Sequence, residues 1–298
     1  MRVGIIGVGK LGNIHLRIYQ EIKEIKKIYL VDIDKEKLSF YKDFERFSTY
    51  QNLKEKVDLV SIASPTNTHY EIAKFFLRNK TPVLVEKPLT QKYKEAQNLI
   101  KLAKETETLL FVGHVERYNN AYLAIKKMIK NPLFIECHRL SPYPFRSLDI
   151  SVVLDLMIHD LDIILDLVKD GVKTIEAKGV KVLSDCEDIA NVRITFKKGC
   201  VANITSSRIS NKKERKIRIF MPNCYISLDY AHQSVEVYRK MKKKIIKKNL
   251  SIKKEEPLKK EILEFVEMVK KKIFSLESAN KAEEALRLAC KIEKILKK

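Results

Sequence analysis

No tryptophan occurs in these 298 residues. No apolar run approaches the roughly 20 residues that a membrane-spanning helix needs, so no membrane partner is expected. The five cysteines, Cys137, Cys186, Cys200, Cys224 and Cys290, are odd in number and scattered. They exclude a disulfide framework and a cysteine metal centre, and point to reduced thiols. Met1 to Ile6 enters a strand pattern directly and shows no signal-peptide composition, so a cytoplasmic location is expected. Acidic residues are the scarce charge, 38 against 59 basic ones, for a net charge of +21. Such a balance raises the question of a nucleic-acid partner. Yet zinc-finger spacing and RNA-binding aromatic motifs are missing. The lysines are densest from Lys240 to Lys260, interleaved with Ile245, Ile246, Leu250 and Ile252. That texture reads as an amphipathic strand or turn with a wet lysine face, a surface abundant in heat-adapted proteins, and nucleic acid is not expected as a partner.

What is present suits a globular protein. The content is 45% hydrophobic and 33% charged, with length enough for two domains and no internal repeat. Arg2 to Ile6 reads as a strand, and a helix pattern runs from Asn13 to about Ile25. Between them, Gly7-Val8-Gly9-Lys10-Leu11-Gly12 forms G-x-G-x-x-G. The strand Ile28 to Val31 then ends at Asp32, 20 residues after Gly12. In this pattern Gly7 permits the tight turn, Gly9 lets the backbone approach a pyrophosphate, and Gly12 lets helix pack on strand. The pyrophosphate sits on the helix N-terminus, where N–H groups point at it. Asp32 accepts hydrogen bonds from the adenosine ribose and repels a 2′-phosphate, so the expected cofactor is NAD rather than NADP. The plainer reading is that Asp32 and Asp34 cap the next helix, Lys35 to Phe44.

The α/β alternation continues. Asp58 to Ala63 is a strand broken by Ser64-Pro65; Thr66-Asn67-Thr68 caps a helix from His69 to about Asn79. Val83-Leu84-Val85 suits a strand buried on both faces, and it stops at Glu86-Lys87-Pro88. A helix from Gln91 to Glu105 and a strand from Leu109 to Val112 follow. Strands separated by single helices imply a doubly wound parallel sheet, so residues 1–118 are read as a dinucleotide-binding Rossmann domain. Ligands gather outside the carboxyl ends of such strands, which aims Lys87 at the crevice and Glu86 the opposite way.

From Leu133 the texture changes. Phe134 to Leu140, Thr174 to Leu183, Ile189 to Phe196, Val201 to Ser207, Lys216 to Met221 and Ser234 to Tyr238 read as strands on short turns. Residues 119–298 are therefore read as an α+β domain with an open, mostly antiparallel sheet. Two tail helices, Leu258 to Lys272 and Ala279 to Leu296, cover that sheet or return to the first domain. One long helix, Val152 to Val168, is apolar nearly all round, so it is buried on most sides. Asp155, His159, Asp162 and Asp166 share one of its faces; Asp160 lies on another. A carboxylate beside an imidazole orients it and tunes it for proton transfer, which marks Asp155 and His159 as a reactive pair. His and Asp at this spacing also suit a metal, but a third ligand is not evident and no metal is expected. For Asp166 a solvent edge or a salt bridge to the sheet is the reading.

Glu86-Lys87-Pro88 after a nucleotide-binding half, followed by Asp155-Leu156-Met157-Ile158-His159-Asp160-Leu161-Asp162, resembles the Gfo/Idh/MocA oxidoreductases. The resemblance spans nearly the whole chain and includes Gly7 to Gly12, Ser64-Pro65-Thr66-Asn67 and Gly113 to Asn119. Met157 stands where many members have Gly, and Asn120 where many have Pro. The resemblance implies a sugar dehydrogenase with Lys87, Asp155 and His159 as catalytic residues. It implies cofactor contacts from Gly7, Gly9, Lys10, Leu11, Gly12, Asp32, Ser64, Pro65, Thr66, Asn67, His69, Glu86 and Lys87. Substrate contacts are expected from Lys87, Arg117, Tyr118, Arg146, Asp155 and His159, and a homo-oligomer through the C-terminal sheet. In this reading His159 takes the hydroxyl proton, Lys87 stabilises the alkoxide, and Asp155 orients the substrate or His159. The phrase Val153 to Asp162, with Pro144-Phe145-Arg146 before it and Glu256-Pro257-Leu258-Lys259 after it, is similar to members acting on UDP-N-acetylglucosamine at C3. Arg139, Arg146 and Arg208 are then read as a cluster for the diphosphate. The alternatives are another sugar, a uronic acid or inositol as substrate. A reading from another class is a nucleotide-sensing or nucleic-acid-binding protein that uses the Rossmann half without catalysis.

Overall fold

The computed structural model describes residues 1–144, 150–242 and 244–297. Met1–His114 and Leu258–Glu283 make one compact unit, and Val115–Pro257 and Glu284–Lys298 a second. The first opens with β1 (Arg2–Ile6), α1 (Lys10–Gln20), β2 (Lys27–Val31), α2 (Lys35–Ser39) and β3 (Glu45–Phe47). It continues with β4 (Leu59–Ile62), α3 (His69–Arg78), β5 (Val83–Glu86), α4 (Tyr93–Glu105) and β6 (Leu110–Gly113). All six strands are parallel, in the order β3-β2-β1-β4-β5-β6. The connections reverse direction between β1 and β4, the switch point where a doubly wound sheet gathers its ligand. Every residue of β4, β5 and β6 is buried, as helices on both faces of a parallel sheet require.

Two elements differ from expectation. The first helix begins at Lys10 because Gly9, extended at φ −69° and ψ −169°, already serves as its N-cap. The helix expected to Phe44 stops at Ser39, and the chain then adds the edge strand β3 beside β2.

The second unit holds α5 (Asn120–Lys126), β7 (Phe134–Leu140), a π turn (Val153–Met157), α6 (Ile158–Val168) and β8 (Val172–Val180). Six more strands follow: β9 (Ile189–Phe196), β10 (Val201–Ser207), β11 (Glu214–Met221), β12 (Cys224–Asp229), β13 (Ser234–Met241) and β14 (Lys244–Asn249). Their order is β14-β13-β12-β11-β7-β10-β9-β8, antiparallel throughout except for the parallel pair β7 and β10. The fold is thus the expected Rossmann sheet followed by an open, mostly antiparallel one. Strict alternation along β7 buries Ile135, Cys137 and Arg139 on one face, where α6 packs; the π turn lies on β10. Across the other face runs a half-buried aromatic row, Phe134, Phe220, Tyr225 and Tyr238, with successive ring centroids 5.6, 4.8 and 5.2 Å apart. The lysine-rich stretch forms β14, exposed along its whole length, so even Ile245 and Ile246 bury no apolar face.

The chain closes with α7 (Pro257–Lys270) and α8 (Glu277–Leu296). Ile262, Phe265 and Val266 of α7 are buried in the first unit, with the Phe265 ring 5.7 Å from that of Phe111 on β6. β6 is an edge strand, and Ser278 closes it. The Ser278 hydroxyl accepts from the Val112 N–H at 2.9 Å and donates to the Val112 carbonyl at 3.1 Å. No helix among the described residues is long and apolar enough to cross a membrane.

Candidate active site

The carboxyl ends of β1, β2, β4 and β5 build the first part of the site. Gly7 leaves β1 at φ +92°, a conformation that side chains disfavour, and donates to the Val31 carbonyl at 2.8 Å. Gly12 sits so tightly on this turn that a Cβ would lie 1.8 Å from the Gly7 oxygen. At Gly9, by contrast, a Cβ would meet nothing within 4 Å. No side chain caps α1. The first-turn N–H groups of a helix have no intrahelical acceptor, so this open cradle at Lys10, Leu11 and Gly12 fits a pyrophosphate.

Asp32 anchors the same turn. Its Oδ2 accepts from the Val8 N–H at 2.9 Å and its Oδ1 from the Asp34 N–H at 3.0 Å. A carboxylate has about four lone-pair sites, so two bonds leave capacity for ribose hydroxyls.

The β4 and β5 loops are stapled together. Ser64 Oγ lies 2.7 Å from Thr68 Oγ1, which donates to the Pro65 carbonyl. Pro65 and Asn67 are exposed and Thr66 is half-buried in the short 3₁₀ turn Thr66–Thr68. His69, expected as a cofactor contact, is 1% exposed. Its Nδ1 lies 2.9 Å from the Pro88 carbonyl and its Nε2 2.9 Å from the Ser64 carbonyl. The imidazole is thus turned inward between two loops, where a cofactor contact was expected. Burial pushes its pKa below the usual histidine range, against the backbone carbonyls that pull it up.

Glu86 also turns inward. Its Oε1 accepts from His15 Nε2 at 2.9 Å, and Oε2 accepts from the Lys87 N–H at 3.3 Å. The His15 Nδ1 lies 2.7 Å from Ser61 Oγ. The buried carboxylate is therefore engaged inside the unit, where a direct cofactor contact was expected. Lys87 itself is half-buried where β5 ends, before a cis bond to Pro88.

In the second unit, the chain enters α6 through the π turn. The Ile158 N–H reaches back to the Val153 carbonyl, five residues earlier. Single π turns recur at functional sites because they re-aim side chains inside a helix. Asp155 lies within this turn and His159 just after it, both half-buried.

The rest of the polar stripe is committed to structure. Arg117, expected at the substrate, has its Nε 2.7 Å from Asp162 Oδ2 and its NH1 3.1 Å from Asp166 Oδ1. Lys126 at 2.6 Å and the Tyr122 hydroxyl also hold Asp166. Burial raises this carboxyl, but the bonds from Lys126 and Tyr122 and the Arg117 charge outweigh it and hold it well below the usual range. Asp166 thus bridges to the Val115–Tyr118 turn and α5, where a solvent edge or the sheet was expected. Tyr118 is half-buried on that turn.

The expected diphosphate cluster is corrected. Arg139 is 3% exposed and forks onto both oxygens of Asp160 at 2.9 Å, with Glu116 at 3.0 Å. Arg208 is wholly buried and donates at 2.9 Å to Asp188, the Ile150 carbonyl and Ser184. A buried guanidinium needs partners, and each has found them inside its own unit. Arg146 lies outside the described residues.

A Rossmann unit with an uncapped glycine turn and an acid ending β2, on one chain with an open-sheet unit bearing a polar helix, defines a pyridine-nucleotide oxidoreductase. The chain belongs to the Gfo/Idh/MocA family: residues 1–114 match its oxidoreductase, NAD-binding Rossmann domain and residues 131–226 its C-terminal domain. It is 34% identical over 242 residues to UDP-N-acetylglucosamine 3-dehydrogenase of Acidithiobacillus ferrooxidans, covering 80% of this chain and 77% of that one. Identity to myo-inositol 2-dehydrogenase of Thermotoga maritima is 28%, over 70% of this chain and 69% of that one. A solved structure of the Acidithiobacillus ferrooxidans enzyme superposes with a TM-score of 0.90 at 30% identity, over 99% of this chain and 97% of that one. Levoglucosan dehydrogenase in complex with NADH and levoglucosan shares the fold, with a TM-score of 0.88 at 16% identity, over 100% of this chain and 97% of that one. The protein is an NAD-binding dehydrogenase of the sugar and polyol class.

Proposed function

We propose that this dehydrogenase oxidises a nucleotide-linked amino sugar, UDP-N-acetylglucosamine, at the C3 hydroxyl to give the 3-ketone. The observation that carries the substrate is the 34% identity to the enzyme of that name across 80% of the chain. Bound NAD supplies the hydride acceptor for the C3 hydrogen. The chain's own residues manage the proton and the charge. His159 takes the hydroxyl proton. Lys87 donates a hydrogen bond to the oxygen as negative charge builds on it. Asp155 orients the sugar or the imidazole. Asp32 and the first turn of α1 hold the adenosine ribose and the pyrophosphate. The same reading includes a homo-oligomer joined through the open sheet, whose aromatic row offers an apolar strip; sedimentation of the purified protein tests it.

The deciding experiment follows NADH formation with UDP-N-acetylglucosamine, its uronic acid, free N-acetylglucosamine and myo-inositol in parallel. Inositol belongs in the panel because of the 28% relative. Turnover is expected with UDP-N-acetylglucosamine. Activity on myo-inositol or the free sugar alone removes this substrate and leaves the family intact.

A further inference from the structure

We propose that Ser61, His15 and Glu86 form a buried positioning chain that sets the main chain of Lys87 and ties it to the cofactor-binding helix. The inference rests on the reading of Lys87 as a catalytic residue. Ser61 lies on β4, His15 on α1 and Glu86 at the end of β5, so the chain crosses three elements of one unit. Ser61 and His15 are 0% exposed and Glu86 7%. The links are short: Ser61 Oγ to His15 Nδ1 at 2.7 Å and His15 Nε2 to Glu86 Oε1 at 2.9 Å. The last, from the Lys87 N–H to Glu86 Oε2, is 3.3 Å.

Proton bookkeeping gives the chain a direction. A carboxylate only accepts, so His15 Nε2 carries the hydrogen that it gives to Glu86. In the neutral ring Nδ1 then accepts from the Ser61 hydroxyl. Glu86 uses its second oxygen on a main-chain N–H, and that N–H belongs to Lys87.

Packing restricts Glu86 further. A Cβ on Gly113 would lie 3.1 Å from Glu86 Oε2 and 3.2 Å from Glu261 Oε1. The glycine makes room for two buried carboxylates side by side. Tyr19 is pushed far up its range by burial, against its bond with Ser61, and these two acids add to the push. Moving the Glu86 carboxylate means moving this whole group, so the Lys87 main chain inherits its rigidity. His15 also stands one turn along α1 from the pyrophosphate cradle, so one helix would set both the cofactor and the lysine.

The test compares His15→Leu, Glu86→Leu, Glu86→Gln and Lys87→Ala. Each is assayed with NAD and UDP-N-acetylglucosamine, or with whichever sugar of the panel the unmodified protein oxidises. Exchange of the Lys87 amide hydrogen is followed by NMR in protein carrying labelled lysine. Both leucine variants should lower kcat about ten- to a hundredfold, the scale of a misplaced reacting group. KM for the sugar and the affinity for NAD should stay within about threefold, and Lys87 amide exchange should quicken about tenfold. Glu86→Gln should recover at least half of the logarithmic loss in kcat. Its oxygen still takes the Lys87 N–H, while its amide donates to Nε2 of a ring that switches tautomer and donates to Ser61.

Unchanged kcat in either leucine variant, or glutamine no better than leucine, overturns the inference. Should the leucine variants fail to fold, His15→Gln keeps a donor for Glu86 and drops Ser61; its kcat must fall, and a value equal to the unmodified enzyme's also overturns it. Lys87→Ala separates the two failures. If it keeps full kcat, the reading of Lys87 fails, while amide exchange still reports on the chain.

Discussion

We propose that Asp32 carries the choice of cofactor. Its two oxygens already hold the Val8 and Asp34 amides, so the carboxylate is fixed before any nucleotide arrives. We expect NAD to bind more tightly than NADP, and Asp32→Ala to lose part of that preference, measured by titration calorimetry with both nucleotides. Tighter NADP binding by the unmodified protein would sink the claim. For the proposed chemistry, Lys87→Ala and His159→Ala should each lower kcat by roughly 10²-fold or more, with melting temperature and NAD affinity little changed. An active Lys87→Ala beside an unfolded His159→Ala would make the histidine structural. His69 sets a pH dependence. Burial lowers its pKa in the folded protein below the unfolded value of about 6.5. The unfolded chain therefore binds the proton first, so stability is full above that value and falls as pH drops below it. Thermal melts from neutral pH down to pH about 5 should show this fall, and His69→Gln should flatten it. An equal slope in both proteins would remove His69 as its source.

Helix α6 shows why polar residues along one face need not share one role. The Arg117 side chain is 16% exposed and Asp162 1%. Arg117→Ala would leave Asp162 buried without its cation, a loss of about 3 kcal/mol or more. Urea denaturation should find it, and Arg117→Met with Asp162→Leu should lose less than the single change. If the single variant unfolds at the wild-type midpoint, Arg117 does not brace the helix. Much here was legible in the chain. β7, β9 and β10 begin and end where alternating apolar residues predict. The glycine turn and Asp32 follow from spacing alone. The π turn was not legible, because one extra residue per turn leaves little trace in a stretch where only Asp155 breaks the apolar run. Nor were β3, β12 and α5, which are short and lean on neighbours more than on their own pattern. The arginines misled for a different reason. Arg139 meets Asp160 across 21 residues and Arg208 meets Asp188 across 20, and a sequence does not say which acid a buried arginine will find. His15 was missed likewise; its partner Glu86 is 71 residues away.

At the scale of the molecule, the first unit is not contiguous. Residues 1–118 expressed alone lack Ile262, Phe265 and Val266 and the Ser278 closure of β6. We expect that fragment to melt without a cooperative transition and to bind NAD poorly. Joining it through a flexible glycine–serine linker to residues 257–283 should restore both, read by circular dichroism and calorimetry. Cooperative melting of 1–118 alone would show that the returning segment is dispensable. The Ser278 contact also has a meaning in time. On a ribosome, β6 is complete long before its side-chain plug is made. At roughly 5–20 residues per second, Val112 waits on the order of ten to thirty seconds for Ser278. During that interval its amide and carbonyl stand open on a strand edge, able to pair with any passing strand. The newborn chain is thus expected to carry an edge open to strand pairing through the middle of its own translation.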